Sequence, residues 1–283
     1  MLGHRVWIEL AHHHDVWASV RCAASAVPPL PGIDRSKILD LIDLDDDIGL
    51  ERVFDATSPE VVVNCAGIVK QSVAMDDPIR AIRTNSLLPH RISRLAAEAG
   101  ARVIHISTDC VFSGKAGHYA EDSIADAGDL YGRSKLLGEI TRRSNELTLR
   151  TSIIGRELRT SYGLVEWFLA SLGSVRGFRK AIFSGLPTNE LARVIREHVL
   201  PRSELTGLYH VASDAINKHD LLVLLSEAYR HQIDIRPEDT VTVDRSLDGS
   251  RFAADTGYSA PSWAELIAKM ASVSKPYEQW RQR

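Results

Sequence analysis

The chain has 283 residues, 44% of them apolar and 25% charged, with a formal net charge of -3 and a pI near 6.4. That composition supports one large core or two unequal ones and excludes disordered and fibrous chains. The near-neutral balance gives no electrostatic case for a nucleic acid or an anionic membrane as partner, because both call for a concentrated basic surface.

The opening segment places Leu2, Val6 and Leu10 at helical spacing, and "DVWASVR" (15–21) then reads as a strand. No apolar run approaches the roughly 20 residues of a membrane span, and His4, Arg5 and Glu9 interrupt the first one, so a cytoplasmic location is expected. His12, His13 and His14 fall where helix turns into strand. They read as a solvated loop, since three adjacent side chains cannot all face one ion, and no metal is expected. Cys22, Cys65 and Cys110 are odd in number and lack CxxC or Cys/His spacing, which fits reduced packing thiols.

Further along, "VVVNCAG" (61–67), "RVIHIST" (102–108), "LTLRTSIIG" (147–155) and "GLYHVAS" (207–213) read as strands. Helices are expected at 47–57, 74–100 and 131–144, with Gly100 as a C-cap and Pro89 at odds with one unbroken span. This alternation predicts an α/β fold, a doubly wound parallel sheet with helices on both faces. After Gly155 the pattern loosens, with helices expected at 164–172, 189–198, 218–231 and 263–272. The predicted division is a dinucleotide-binding domain at 1–155, with 205–213 returning to its sheet, and a smaller substrate lobe from 156–204 and 214–283. Trp167 and Trp263 are expected in the core.

Ligands of such sheets sit at the carboxyl ends of the strands, which directs attention to Arg21, Cys65-Ala66-Gly67, Thr108-Asp109 and Thr151-Ser152. "YGRSK" places Tyr131 and Lys135 on one helix face. A free phenol titrates at about 10, and a nearby ammonium lowers it, making an acid/base for carbonyl/alcohol exchange. Seven tyrosines and eight lysines predict about 0.2 chance matches to this spacing, so the motif needs its context. Thr108 supplies that context as a strand-end hydroxyl able to donate to the same carbonyl oxygen, although it also suits capping the next turn. Arg21 ends the second strand where a carboxylate would hold the NAD ribose, so NADP is expected, with NAD the alternative. Cys65, Ala66 and Gly67 are small enough for close approach of a dinucleotide.

The segments "STDCVFSGK", "YGRSKLLGE", "LRTSIIG" and "SGLPTNELARVI" resemble the extended short-chain dehydrogenase/reductase family, in particular its dTDP-4-dehydrorhamnose reductase branch, over residues 2–263. The resemblance implies a Rossmann-like fold and NADPH-linked reduction of a nucleotide-diphospho-4-keto-6-deoxy sugar in deoxysugar and surface-polysaccharide biosynthesis. It implies Thr108, Tyr131 and Lys135 as the catalytic triad, the lysine also holding the nicotinamide ribose. Asn85 would be a structural or water-holding residue. Asp43 and Leu44 match the acidic-apolar pair near adenine, although Asp45 to Asp47 leave its register open and a solvated acidic turn also fits. Asp109, Phe183, Pro187, Thr188 and Arg251 match positions near the nucleotide sugar. Arg251 could pair with the diphosphate through a bidentate fork, and reads equally as an exposed loop charge. Cys110 stands where these reductases commonly carry tyrosine.

Two alternatives stand beside reduction. Sugar 4,6-dehydratases of this fold place Asp-Glu after the threonine, which Asp109-Cys110 lacks, but a nucleotide-sugar epimerase remains open. The other is a non-catalytic regulatory subunit, as in some relatives. A homodimer is also open. Gly3 matches only the last glycine of the family's glycine-rich turn. The first strand and two phosphate-facing glycines are therefore expected upstream of Met1, and the chain as written is expected to bind NADPH weakly or not at all and to be prone to aggregate.

Overall fold

The computed structural model describes residues 1–44 and 46–281; Asp45, which adjoins the Asp43-Leu44 pair, lies outside them. Helix α1 (Leu2–Ala11) buries Leu2, Val6, Trp7, Ile8 and Leu10. The strand expected at 15–21 shortens to β1 (Ala18–Ser19), which among the described residues pairs only with β2 (Ile38–Leu39), in parallel. With one neighbour instead of two, such a ribbon is marginal and stays short.

Helix α2 (Asp47–Thr57) starts on Asp46, whose carboxylate accepts from Ile48 N, and leads into β3 (Val61–Asn64). The helical segment expected at 74–100, with Pro89 at odds with one unbroken span, is four pieces: a 3-10 turn at Val73–Asp76, α3 (Pro78–Ala81), a π-helical stretch at Ile82–Leu87, and α4 (Leu88–Ala99). Pro89 sits in the first turn of α4, and the wider π turns before it absorb its missing N–H and ring clash. Gly100 ends α4 at φ 70°.

Strand β4 (Arg102–Thr108) lies between β3 and β5 (Glu146–Thr151), all parallel. Its period of two shows in the packing. Val103 faces Leu50, Phe54, Leu88 and Ile92 of α2 and α4, whereas Ile104 faces Leu2, Val6 and Leu10 of α1. Both faces are thus covered by helices, and every residue of β5 is buried, as in a parallel interior strand.

Between β4 and β5, α5 (Leu130–Leu137) stops well before 144. A Cβ on Gly138 would collide with the Asn85 carbonyl, so the helix ends pressed against the π stretch. Glu139 then turns inward and takes a bidentate pair from Arg150 of β5, Nε and Nη2 each at 2.8 Å, and also accepts from Ser107 Oγ at 2.7 Å. A fully hydrogen-bonded buried pair of this kind ties strand, helix end and strand together, and removing one partner costs about 3–5 kcal/mol.

The remainder begins with β6 (Ile153–Ile154), α6 (Leu164–Ala170), β7 (Ser174–Phe178), β8 (Ala181–Phe183), β9 (Leu186–Pro187) and α7 (Thr188–Val194), which continues as a π stretch at Ile195–Val199. Strand β10 (Gly207–His210) pairs in parallel with β5 and extends the main sheet to the order β10-β5-β4-β3. Then come β11 (Ile216–Asn217), α8 (Lys218–Tyr229), β12 (Asp234–Glu238), β13 (Val243–Asp244), α9 (Ser250–Thr256), α10 (Trp263–Ser272) and α11 (Lys275–Arg281). The short sheets here carry no alternating apolar pattern, "DIRPE" being one example, and so escape a periodicity reading. Trp263 is 8% exposed as expected of a core residue, but Trp167 is 42% exposed, because it falls on the outward side of α6.

Candidate active site

The site is assembled where α5 lies across the end of β4. Thr108 closes that strand: its Oγ1 accepts from Cys110 N and donates to Asp109 Oδ1, both at 3.1 Å. It therefore caps the turn and stands at the carboxyl edge of the sheet at once. Gly132 allows α5 to sit directly on this turn, since a Cβ there would collide with the Cys110 carbonyl. Asp129 starts the helix by accepting from Gly132 N at 2.8 Å and is held by Lys70 at 2.6 Å. Tyr131 is thereby brought next to Thr108, whose hydroxyl is close enough to act on the phenol's ionisation.

Lys135, one turn further on the same helix, is 5% exposed, and its Nζ donates to the Ile106 carbonyl at 2.7 Å. Beside it lies His105, Nε2 at 3.5 Å. Asn64 Oδ1 is committed to Ala66 N at 3.0 Å, so its amide donates to His105 Nδ1 at 3.1 Å and leaves the imidazole proton on Nε2, facing the lysine. Asn85 is fully buried: it accepts from Ile68 N at 2.8 Å, donates to Ile68 O at 3.0 Å and to Ser134 Oγ at 3.2 Å. It pins the loop after β3 to α5 from within a π stretch, a geometry frequent at functional sites.

Burial dominates the electrostatics. It pushes the Lys135 ammonium down to about 8, against the pull of Glu139 and Cys65. The expected lowering of Tyr131 by a neighbouring ammonium is not found: the phenol is raised. Burial raises the phenol, Cys110, Asp109 and Asp129 act the same way, and the hydrogen bond with Thr108 opposes them. The phenol is thus firmly protonated at neutral pH. Burial also raises the Asp109 carboxyl and pushes the Cys110 thiol up to about 12.

The other expected residues distribute as follows. Cys65 and Ala66 are half-buried after β3, and Gly67 is exposed; a Cβ there would stand 3.4 Å from Asn85 Oδ1 and 4.0 Å from Lys135 Nζ. Gly3 faces Cys65, where a Cβ would make an ordinary 3.6 Å contact. Arg21 is exposed just beyond β1, while Asp43 is exposed and Leu44 half-buried before α2. Leu44 O accepts from Arg91 Nη1 at 3.1 Å. Phe183 is buried at the end of β8, with Pro187 and Thr188 buried at the β9–α7 junction, where Thr188 fills the space a side chain at Gly155 would need. Arg251 stands apart, exposed, its guanidinium 4.7 Å from the Tyr209 ring.

Sequence reasoning missed three residues here. His105 and Asn64 look like ordinary strand positions until the β3–β4 register sets them side by side. Lys218 is more distant: β11 pairs antiparallel with β8, Ile216 opposite Phe183, and so delivers the first residue of α8 onto the Phe183 ring. Only that long-range pairing reveals it.

A parallel sheet covered on both faces, with a strand-end hydroxyl beside a Tyr-x-x-x-Lys helix, defines a protein of the extended short-chain dehydrogenase/reductase class. The chain belongs to the RmlD substrate binding domain family, whose sequence model matches residues 30–274. It is 24% identical over 249 residues to methionine adenosyltransferase 2 subunit beta of Xenopus laevis, covering 81% of this chain and 69% of that one. A hypothetical dTDP-4-dehydrorhamnose reductase from Sulfolobus tokodaii superposes with a TM-score of 0.75 at 26% identity, over 93% of this chain and 94% of the other. A dTDP-4-dehydrorhamnose reductase from Bacillus anthracis, crystallised in complex with NADP, has a TM-score of 0.71 at 19% identity over 84% and 91%.

Proposed function

We propose that this chain reduces the 4-keto group of a nucleotide-diphospho-4-keto-6-deoxy sugar with NADPH. The observation that carries the reading is the convergence of the Thr108 and Tyr131 hydroxyls at the carboxyl end of β4. Together they can offer a carbonyl oxygen two donors, one for each lone pair, once the Thr108 proton held by Asp109 Oδ1 turns to the substrate. When the carbonyl carbon gains hydride, its oxygen takes the proton from Tyr131 Oη and becomes a hydroxyl, while Thr108 shares the charge that develops. Tyr131 enters as the donor because burial holds it protonated. Lys135 Nζ stands one turn along to return a proton to the phenolate.

A nicotinamide dinucleotide supplies the hydride when bound. The residues fit such a group. Gly67 leaves an opening onto Lys135 that a side chain would fill, and the exposed Arg21 guanidinium has no partner among the described residues. Lys135, Gly67, Cys65 and Ala66 would hold the nicotinamide half. Arg21, with Asp43 and Leu44, would hold the adenosine half, and Gly3 would line the helix between them. One charge-assisted contact to a 2′-phosphate is worth about 1.5–3 kcal/mol. Arg21→Ala should therefore lose about ten- to a hundredfold in NADPH affinity while leaving NADH unchanged, as measured by calorimetry. Equal losses for both dinucleotides would remove Arg21 from the assignment.

The direct test incubates the purified chain with a dTDP-4-keto-6-deoxy sugar and NADPH and follows oxidation of the dinucleotide and the mass of the sugar product. The likeness to a methionine adenosyltransferase subunit over 81% of the chain supports a second reading, a regulatory partner. Stoichiometric co-purification of an unrelated enzyme, with no turnover of keto sugar, would favour it.

A further inference from the structure

We infer that Lys218 is the cation that binds a diphosphate oxygen of the substrate; the inference rests on the nucleotide-sugar reading above and assigns a contact which that reading leaves open.

Lys218 begins α8, and its Nζ stands 3.6 Å from the centroid of the Phe183 ring. The Asp109 carboxylate acts on it, so the ammonium faces the turn that carries Thr108. It makes no hydrogen bond and no ion pair within 4 Å among the described residues. A lysine ammonium has three donors, and an aromatic face offers attraction without a lone pair to accept any of them. Burial pushes this lysine down to about 8, the mark of a shielded cation whose surroundings compensate it only in part. An anionic ligand oxygen would complete the compensation.

The carbonyl oxygen is not that acceptor. Thr108 and Tyr131 already supply it with two donors, which occupies both lone pairs. The remaining anionic oxygens of a nucleotide sugar are those of its diphosphate. Of the other cations, Arg245 donates to the Phe112 and Ser113 carbonyls at 2.9 and 3.3 Å, and Arg251 lies exposed with its guanidinium against the Tyr209 ring. The adjoining cleft of about 420 Å³ is lined by Asp214 and Asp248 and offers phosphate no lysine or arginine, whereas beside Lys218 the one carboxylate that acts on it, Asp109, already accepts from Thr108 and is opposed by the ammonium itself. The diphosphate therefore lies on the Lys218 side of Phe183.

Calorimetry of the full chain with dTDP, UDP and thymidine tests this. Lys218→Met should weaken dTDP or UDP at least about tenfold and leave thymidine and NADPH within about twofold. Lys218→Arg, which keeps the charge, should retain most of the nucleotide affinity. A folded Lys218→Met protein that binds the diphosphates as well as the parent does would overturn the inference and make Lys218 a clamp between α8 and β8. Should Lys218→Met not fold, reductive methylation of the parent with isotope-labelled formaldehyde decides. The Lys218 resonance, assigned by its absence in Lys218→Arg, must shift with dTDP and not with thymidine, and an unmoved resonance overturns the inference. If the parent binds neither diphosphate at all, the nucleotide-sugar reading itself fails, a result distinct from a Lys218→Met effect of zero.

Discussion

The two sides of the candidate site are built differently. On the β4–α5 side the polar groups are tied into the fold: Thr108 to Cys110 and Asp109, Lys135 to Ile106, and Asn85 to Ile68 and Ser134. Glycines at 132 and 138 bring backbone against backbone, which leaves α5 no freedom to shift. On the β8–α8 side, Phe183 and Lys218 touch through a ring face. Preorganisation is concentrated where charge would develop, as electrostatic stabilisation of a reacting oxygen requires. Unfilled donors are left where a ligand would bring its own acceptors.

The sharpest way to break this contrast is at the reacting oxygen. Tyr131→Phe keeps the ring and removes only the proton donor, so turnover of a keto sugar should fall by about 10²- to 10⁴-fold with nucleotide and NADPH affinity preserved. Near-normal turnover would show that the β4–α5 side is a scaffold and not the chemistry. Next in size is the pair that fixes this side to the sheet. Arg150→Met leaves Glu139 buried without its cation and should cost about 3–5 kcal/mol in urea unfolding. The double substitution Arg150→Met/Glu139→Leu should recover much of that loss, since no buried charge is then left unpaired.

Much of the β4–α5 side was legible in the sequence, and little of the other. "RVIHIST" reads as a buried strand because parallel strands are apolar on both faces, and "YGRSK" reads as a helix start because its spacing sets Tyr131 over Lys135. Helix 47–57 was legible for the same reason, through its apolar period and acidic start. What the periodicity could not show is where a helix meets its neighbours: α5 gives way at Gly138, where the Asn85 carbonyl leaves no room for a side chain. Nor could it show Lys218, whose place depends on a pairing between β8 and β11 that leaves no local trace. The direction of the Tyr131 shift was also missed. Spacing gives the neighbouring charge but not the depth of burial, and burial is the larger effect.

The close approach itself can be tested by adding one methyl group. Gly138→Ala would drive a Cβ into the Asn85 carbonyl, and overpacking of this kind costs about 1–3 kcal/mol. Because Asn85 also holds the Ile68 loop, the loss should be accompanied by faster amide exchange at Ile68 and Ser134. Gly100→Ala makes a useful contrast: nothing lies near its Cβ, so any cost there comes from its positive φ alone and should leave the Ile68 amide untouched.

The smallest effect compares the two sides through their lysines. Burial lowers both Lys135 and Lys218 to about 8, whereas an unfolded lysine titrates at about 10.4. Between those values the unfolded chain binds more protons than the folded one, so unfolding free energy should rise with pH from about 8 to about 10. Below that window both states carry the charge, and the full cost of burying it is present. Above it the raised phenol of Tyr131 works in the opposite direction, because the unfolded tyrosine then ionises first. Lys135→Met and Lys218→Met should each flatten part of the rise, measured as urea midpoints across the window. Adding dTDP separates the two. An anion on Lys218 raises its pKa toward the unfolded value and removes its share of the slope, while Lys135, facing Glu139, Cys65 and His105 inside the protein, keeps its own. A slope that dTDP leaves intact, in protein shown to bind it, would mean that the two lysines are buried alike and that the asymmetry between the sides does not extend to charge.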